Sequence, residues 1–301
     1  DYFYNEKKSD RPGDERNLLL NDRQVKFEKY LTDAFSEKAV EFINESSQPF
    51  MMYLAYNAVH TPMQATDEDM AKFEGHPRQK LAAMTYALDR GVGTVIRGLK
   101  DSGKFDNTLI FFLSDNGGAT TNKSSNYPLK GFKGNNFEGG HRVPYFVVWK
   151  NGIPAGKPYD GLVSSLDIFA TAIDAASISK TRNRLDGESL LPYLKGKKGE
   201  PHKVLYWRKM DTRAIRSGDY KLIITHGVDS VLYNIRRDPE EMNNLINKEP
   251  DLYRKLAKKL AKWEKNECIE PSWLEEGWRK ITNRYHQQLM HNEIKTAQDL
   301  Y

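Results

Sequence analysis

Between residues 107 and 145 the chain reads NTLIFFLSDNGGATTNKSSNYPLKGFKGNNFEGGHRVPY. Asp115 and Asn116 stand side by side just beyond an apolar run, and both offer side-chain oxygens, the hard donors that calcium or magnesium prefers. Past a polar loop, Lys130 and Lys133 fall among Gly131, Gly134, Gly139 and Gly140. Glycine lets a backbone approach a ligand closely, and an ammonium group there can neutralise an anion. The combination amounts to oxygen ligands for a cation with a lysine for an oxyanion. Each signal alone is commonplace, since Asp-Asn-Gly is a frequent turn. Their order and spacing make the case.

Strands and helices must hold these residues. The run at 108–113 is short and rich in aromatics, which predicts a buried strand of a parallel sheet. In open α/β sheets ligands gather outside the carboxyl ends of the strands, where Asp115 and Asn116 would fall. A second continuous apolar run, 49–56, predicts another buried strand, and just past its end come Asn57 and His60. A lone histidine in a loop is usually structural, but this one shares the strand-end placement of Asp115.

Thr32 can cap a helix carrying Ala34, Phe35, Ala39, Phe42 and Ile43 at helical spacing. From Gln79 to Lys100, Leu81, Met84, Leu88, Val95 and Leu99 mark an amphipathic helix that leads into the strand at Thr108, with a right-handed crossover expected. A third strand is expected at 144–149. Ser164 or Ser165 would cap a helix turning Ile168, Phe169, Ala172 and Ile173 inward. After Pro192 short strands joined by turns predict an antiparallel meander, followed by a helix marked by Leu252, Leu256, Leu260 and Trp263. The expected organisation is an α/β part over 1–196 and a smaller antiparallel-sheet subdomain with helix and tail over 197–301. In the tail, Trp273, Trp278 and Tyr285 read as helix-packing aromatics, with a sugar-stacking wall as the alternative.

Composition sets bounds. The 301 residues are 39% hydrophobic and 29% charged, as in a water-exposed globular chain, and no apolar run approaches a membrane span. Forty-six basic against 41 acidic side chains leave a net charge of +5, which suits an anionic substrate. A single cysteine, Cys268, allows no internal disulfide. The lysines of 255–265 alternate with Leu256 and Leu260 as a solvated helix face, so nucleic-acid binding is not expected.

Several segments together resemble the sulfatase family, the formylglycine-dependent sulfuric ester hydrolases of the alkaline-phosphatase-like superfamily. They are YLAYNAVHTPMQA at 53–65, SDNGG at 114–118, LKGFKGNNFEGGHRVP at 129–144, VSSLDIFATAIDAA at 163–176, LDGESLLPYL at 185–194, AIRSGDYKLI at 214–223 and LYNIRRDPEEMNNL at 232–245. The resemblance implies a mostly parallel sheet flanked by helices, with a smaller C-terminal antiparallel sheet and helix. It implies that Asp115 and Asn116 are metal ligands, usually for calcium, with magnesium the other candidate. Lys133 matches the lysine that holds the sulfate, and His60 the histidine that contacts the sulfate and its bridging oxygen. These two are the implied catalytic groups. Lys130 stands where the family often has arginine, and His141 where an aliphatic residue is usual, so both are carried as candidate substrate contacts. The implied substrate is a sulfated glycan, and the implied location of the parent protein is periplasmic or secreted.

One family feature is missing. The family's nucleophile is a formylglycine made within C/S-x-P/A-x-R, and no cysteine or serine here fits that pattern; Cys268 lies in CIEPS, without the arginine. The chain therefore resembles the C-terminal part of a sulfatase, with the N-terminal half expected as its complement and the isolated chain expected to be inactive. A phosphodiesterase or phosphonate hydrolase of the same superfamily is the nearest alternative, and a non-catalytic binding fragment the alternative of a different class.

Overall fold

The protein is described from a computed structural model, which covers residues 2, 18–25, 27–178, 184–268 and 276–300. The chain divides into two compact units, Asp1–Thr108 and Leu109–Tyr301.

The first unit opens with a small antiparallel ribbon, β1 (Leu18–Leu20) and β2 (Arg23–Val25). Its body is the pair α1 (Leu31–Glu45) and α3 (Gln79–Asp101), with short α2 (Asp67–Ala71) beside α3. Ala83, Met84, Ala87 and Leu99 are buried on α3, and Leu31, Ala34, Ala39 and Ile43 on α1. Arg90 ties the helices together, its guanidinium paired with Asp33 at 3.0 Å and with the buried Asp69 at 2.6 Å. Thr32 does not cap α1: it lies inside the first turn, fully buried, and Tyr30 takes the cap position. The run at 49–56 is assigned no strand among the described residues, a departure from the expected buried strand.

The second unit contains β3 (Ile110–Leu113), α4 (Glu138–His141), β4 (Tyr145–Val148), α5 (Asp167–Ala175) and α6 (Leu191–Leu194). β3 pairs with β4 antiparallel, Phe112 opposite Phe146. No two strands pair in parallel among the described residues. On α5 the inward residues are Asp167, Ala170 and Thr171, whereas Phe169 is half-exposed, so the predicted stripe is rotated. Asp167 sets this rotation: its carboxylate accepts from the backbone of Ser164 and Glu188 and pairs with His202 at 2.7 Å, which draws that face inward.

The expected meander is present. β5 (Val204–Lys209), β6 (Thr212–Ser217), β7 (Tyr220–Thr225) and β8 (Asp229–Asn234) form one antiparallel sheet in sequence order. Its faces alternate as a period of two requires. Ile215, Leu222 and Leu232 pack on Leu256 and Leu260 of α7 (Pro250–Glu267). Ala214, Ile223, Val231 and Tyr233 pack on the other face, with Leu289 and Met290 of α8 (Glu276–Met290) and with Phe132 and Phe137 of the glycine-rich loop. Tyr285 packs edge-on against Phe132, as a helix-packing aromatic should; Trp278 is exposed, and Trp273 lies outside the described residues. The four-stranded sheet begins at Val204, and the compact units part at 108/109. The reason is that glycine-rich loop, which inserts Phe132 and Phe137 into the core of the C-terminal sheet. No helix among the described residues is long and apolar enough to cross a membrane.

Candidate functional site

Strand β3 ends at Leu113, and the chain turns through Ser114 to Gly118. The Ser114 hydroxyl donates to the Asn116 carbonyl at 2.8 Å, which closes the turn. The Asn116 amide nitrogen donates to the Asp115 carboxylate, so the two side chains are held side by side at one strand end. Asp115 is exposed, while Oδ1 of Asn116 is buried with no hydrogen-bond partner. A buried acceptor without a donor is costly, and a cation is one way to satisfy it.

Two glycines make the turn possible. The Gly117 N–H donates to the Gly140 carbonyl at 3.0 Å, and a Cβ at Gly117 would stand 1.8 Å from the Gly139 carbonyl oxygen. Only a residue without a side chain permits that approach. The Lys133 N–H then donates to the Gly118 carbonyl at 3.0 Å, so the lysine loop is stitched to the Asp115 turn. Asn126 locks the same point, accepting from Gly118 N–H at 2.7 Å and donating to the Gly118 and Gly131 carbonyls. The Lys133 side chain is exposed.

Lys130 and His141 play different parts from those expected. Lys130 is completely enclosed: its ammonium donates to the Glu241 carbonyl at 3.0 Å and to the Asn292 side chain, and it lies over the rings of Phe137 and Tyr233. Burial pulls this ammonium down to about 8. It fastens the loop to the C-terminal sheet and has no face for a substrate. His141 stacks on Trp207 at 4.4 Å, and its Nε2 lies between Lys221 Nζ at 3.0 Å and the Asn136 carbonyl oxygen at 3.2 Å. Burial and the Lys221 charge hold His141 down to about 3, neutral at any ordinary pH. It is a half-buried side chain packed between Trp207 and Lys221.

Around Lys221 lies a cluster that the sequence reading missed. Its ammonium meets Glu138 at 2.9 Å and Glu241 at 3.0 Å, with all three side chains nearly or fully buried. Glu241 also accepts from the Glu138 N–H at 2.7 Å, at the start of α4. Burial opposes ionisation of Glu138, but the Lys221 charge and hydrogen bond, with Arg216, outweigh it and hold the carboxyl low. Burial and the neighbouring Glu138 charge push Glu241 up. The available signal was a lysine in the middle of β7, an interior strand with both faces covered. This cluster pins α4, whose Gly139 and Gly140 abut Gly117.

His60 belongs to the first unit. It is exposed, and its Nδ1 lies 2.7 Å from the Thr61 carbonyl, which puts a proton on Nδ1 and leaves Nε2 outward. The second unit thus brings together Asp115, Asn116 and the backbone of Lys133, with Lys130 and His141 behind them as supports. No group of three or more His, Cys, Asp or Glu side chains that could hold a metal ion occurs among the described residues.

The sulfatase family profile matches residues 1–178, and that of the N-sulphoglucosamine sulphohydrolase C-terminal region matches 133–266. The uncharacterized sulfatase YdeN of Escherichia coli is 39% identical over 200 residues, 63% of this chain and 36% of its own length. The N-acetylgalactosamine-6-sulfatase of Canis lupus familiaris is 31% identical over 202 residues, 64% of this chain and 38% of its own. The chain therefore spans well under half the length of these relatives. The crystal structure of Ps i-CgsB in complex with k-i-k-neocarrahexaose superimposes with a TM-score of 0.80 at 35% identity, over 91% of this chain and 64% of that one. The alkaline-phosphatase-like α/β class expected from the sequence is the class of these neighbours. By its matched profile and its structural likeness, the chain belongs to the sulfatase family.

Proposed function

We propose that this chain carries the sulfate-gripping part of a sulfuric ester hydrolase that acts on a sulfated carbohydrate. One observation bears most of the weight: the buried, unpartnered Oδ1 of Asn116 beside the Asp115 carboxylate. These two oxygens fit a calcium or magnesium ion, which needs further ligands to complete its shell. When bound, such an ion would draw electron density from the sulfuryl oxygens and fix their orientation.

The chain's own groups do the rest. Lys133 offers a fixed positive charge whose backbone is anchored before any substrate arrives, so little reorganisation opposes its action on developing negative charge. With Nδ1 turned to the Thr61 carbonyl, His60 can give or take a proton only at Nε2. A positioned acid on the departing alkoxide is typically worth about 10² to 10⁴ in rate. The carbohydrate assignment draws on relatives whose names and ligands are sugars, N-acetylgalactosamine-6-sulfatase and the neocarrahexaose complex. The nucleophile would be the family's formylglycine, for which no residue of this chain is a candidate.

The test is release of sulfate against phosphate from matched aryl esters and from a sulfated oligosaccharide by the full-length protein. The proposal expects sulfate release to dominate and the isolated 301 residues to release none. Preferential phosphate release would transfer the site to a phosphoryl hydrolase.

A further inference from the structure

Helix α7 carries its positive charge in one block. Leu252, Leu256, Leu260 and Trp263 hold one side of it on the C-terminal sheet. Lys255, Lys258, Lys259, Lys262 and Lys265 are all exposed. At about 100° per residue these five fall within an arc of about 120°, next to the apolar row, and run about 15 Å along the helix. None of them has an ion-pair or hydrogen-bond partner among the described residues.

The acids of α7 are engaged elsewhere. Asp251 pairs with Arg254 in the first turn, and Glu264 reaches across to Arg208 and Arg213 of the sheet. Glu267 falls outside the lysine arc. Other helices balance their cations: Lys38 with Glu41 on α1 at 2.5 Å, Lys72 with Glu68 on α2 at 2.9 Å, and Arg279 with Glu276 on α8 at 3.5 Å. Residues three and four apart are neighbours on a helix surface. Lys255 therefore faces Lys258 and Lys259, and Lys262 faces Lys258, Lys259 and Lys265. Like charges so placed destabilise a helix, and a bound polyanion would replace that repulsion with attraction.

We propose that this face of α7 is a docking surface for a sulfated polysaccharide, the polymer whose sulfate esters the complete enzyme cleaves. Charge complementarity argues for that occupant, since five unpaired ammonium groups in line suit a chain bearing repeated anions. The face offers no free aromatic ring for a nucleobase to stack on: Trp263 lies beside the apolar row and is stacked on Tyr206 at 4.9 Å. The α7 face belongs to the same compact unit as Asp115 and Lys133. A polymer held there would keep further sulfate esters at a high effective concentration near the site. The choice of partner rests on the sulfatase reading; the unpaired cations do not.

The experiment uses the full-length protein and size-fractionated carrageenan, with desulfated carrageenan and a single-stranded DNA of matched charge for comparison. Calorimetry across a salt series reads affinity. Counterion release makes the logarithm of the association constant fall linearly with that of salt, by about 0.7 per contact on a single-stranded polyanion, so five lysines give a slope of about −3.5. Lys258→Gln, Lys259→Gln and Lys262→Gln together should weaken binding at least tenfold at low salt and make the slope shallower by about 2. The same variant should raise KM for the polymer at least fivefold with kcat unchanged, and leave both constants for an aryl sulfate unchanged. Lys80→Gln, Lys150→Gln and Lys198→Gln together remove the same charge from other exposed positions and should leave affinity within twofold. Unchanged urea midpoints check that both variants fold. Wild-type affinity in the α7 variant, equal losses in the two variants, or equal binding of the desulfated polymer overturns the proposal. So does tighter α7-dependent binding of the DNA, which would assign the face to a nucleic acid. Polymer binding through α7 without sulfate release from either ester would keep this inference and remove the functional reading. Sulfate release with polymer binding indifferent to α7 would do the reverse.

Discussion

Lys133 donates its backbone N–H to the carbonyl of Gly118 at 3.0 Å, three residues beyond Asp115. This bond joins the two halves of the candidate site, the oxygen pair at the end of β3 and the ammonium of the glycine-rich loop. Behind it, Gly117 bonds to Gly140 and α4 is pinned by Glu138, Lys221 and Glu241. Site geometry is therefore set by the C-terminal sheet, through side chains that never meet a substrate.

The close approach at Gly117 gives a first prediction. In Gly117→Ala the new methyl would overlap the Gly139 carbonyl, 1.8 Å away, and backbone must move to relieve it. Overpacking of this kind costs about 1–3 kcal/mol. Gly134→Ala is the comparison: Gly134 has a φ of +91° but open space around it, so only conformational strain applies, about 1 kcal/mol. Urea unfolding midpoints should rank wild type above Gly134→Ala and that above Gly117→Ala; the reverse order of the two variants would contradict the packing account.

The buried cluster gives a second. Lys221→Met leaves Glu138 buried without its principal cation and should cost about 3–5 kcal/mol. Adding Glu138→Gln removes the stranded charge and should recover part of the loss. A loss below about 1 kcal/mol in the single variant would mean that the cluster does not brace α4. The double-variant cycle by urea denaturation decides.

Much of this was legible in the sequence, and the failures have physical causes. The meander and α7 were readable because alternating and helical periods are clean where a sheet covers its own faces. The Asp115–Asn116 turn was readable because the strand stops at glycines. The apolar run at 49–56 predicts a buried strand, yet none is assigned there among the described residues, because apolar content reports what a segment would bury and not its backbone pairing. Lys130 and His141 are candidate substrate contacts only by resemblance to the family. The partners that hold them, Glu241 and Asn292 for Lys130 and Lys221 for His141, are distant in sequence, and such long-range pairs leave no local spacing.

Acid should loosen the second unit. His286 is buried, donates from Nδ1 to the Thr282 carbonyl at 2.8 Å and accepts the Asn136 N–H at Nε2, so it must be neutral. Burial pulls it down to about 4, and His141 to about 3. Between these values and about 6.5 the unfolded chain binds more protons than the folded one, so stability rises with pH across that window and is lost as pH falls through it. For His286 alone the effect approaches about 3 kcal/mol. Glu241, pushed up by burial, acts in the opposite sense. The contribution of His286 is therefore read as a difference: from pH 7 to pH 4.5 wild type should lose more stability than His286→Gln. Equal losses would place the acid sensitivity elsewhere.

The central claim is that Asp115 and Lys133 serve one site. Sulfate release by the full-length protein, measured for Asp115→Ala, Lys133→Ala and the double variant, tests it most directly. Each single substitution should lower kcat by about 10² to 10³ or more, as loss of a preorganised charge at a reacting group does. The double variant should fall far short of the product of the two losses, because groups acting together on one substrate are not additive. Fully multiplicative losses, or retention of full activity by either single variant, would contradict the account.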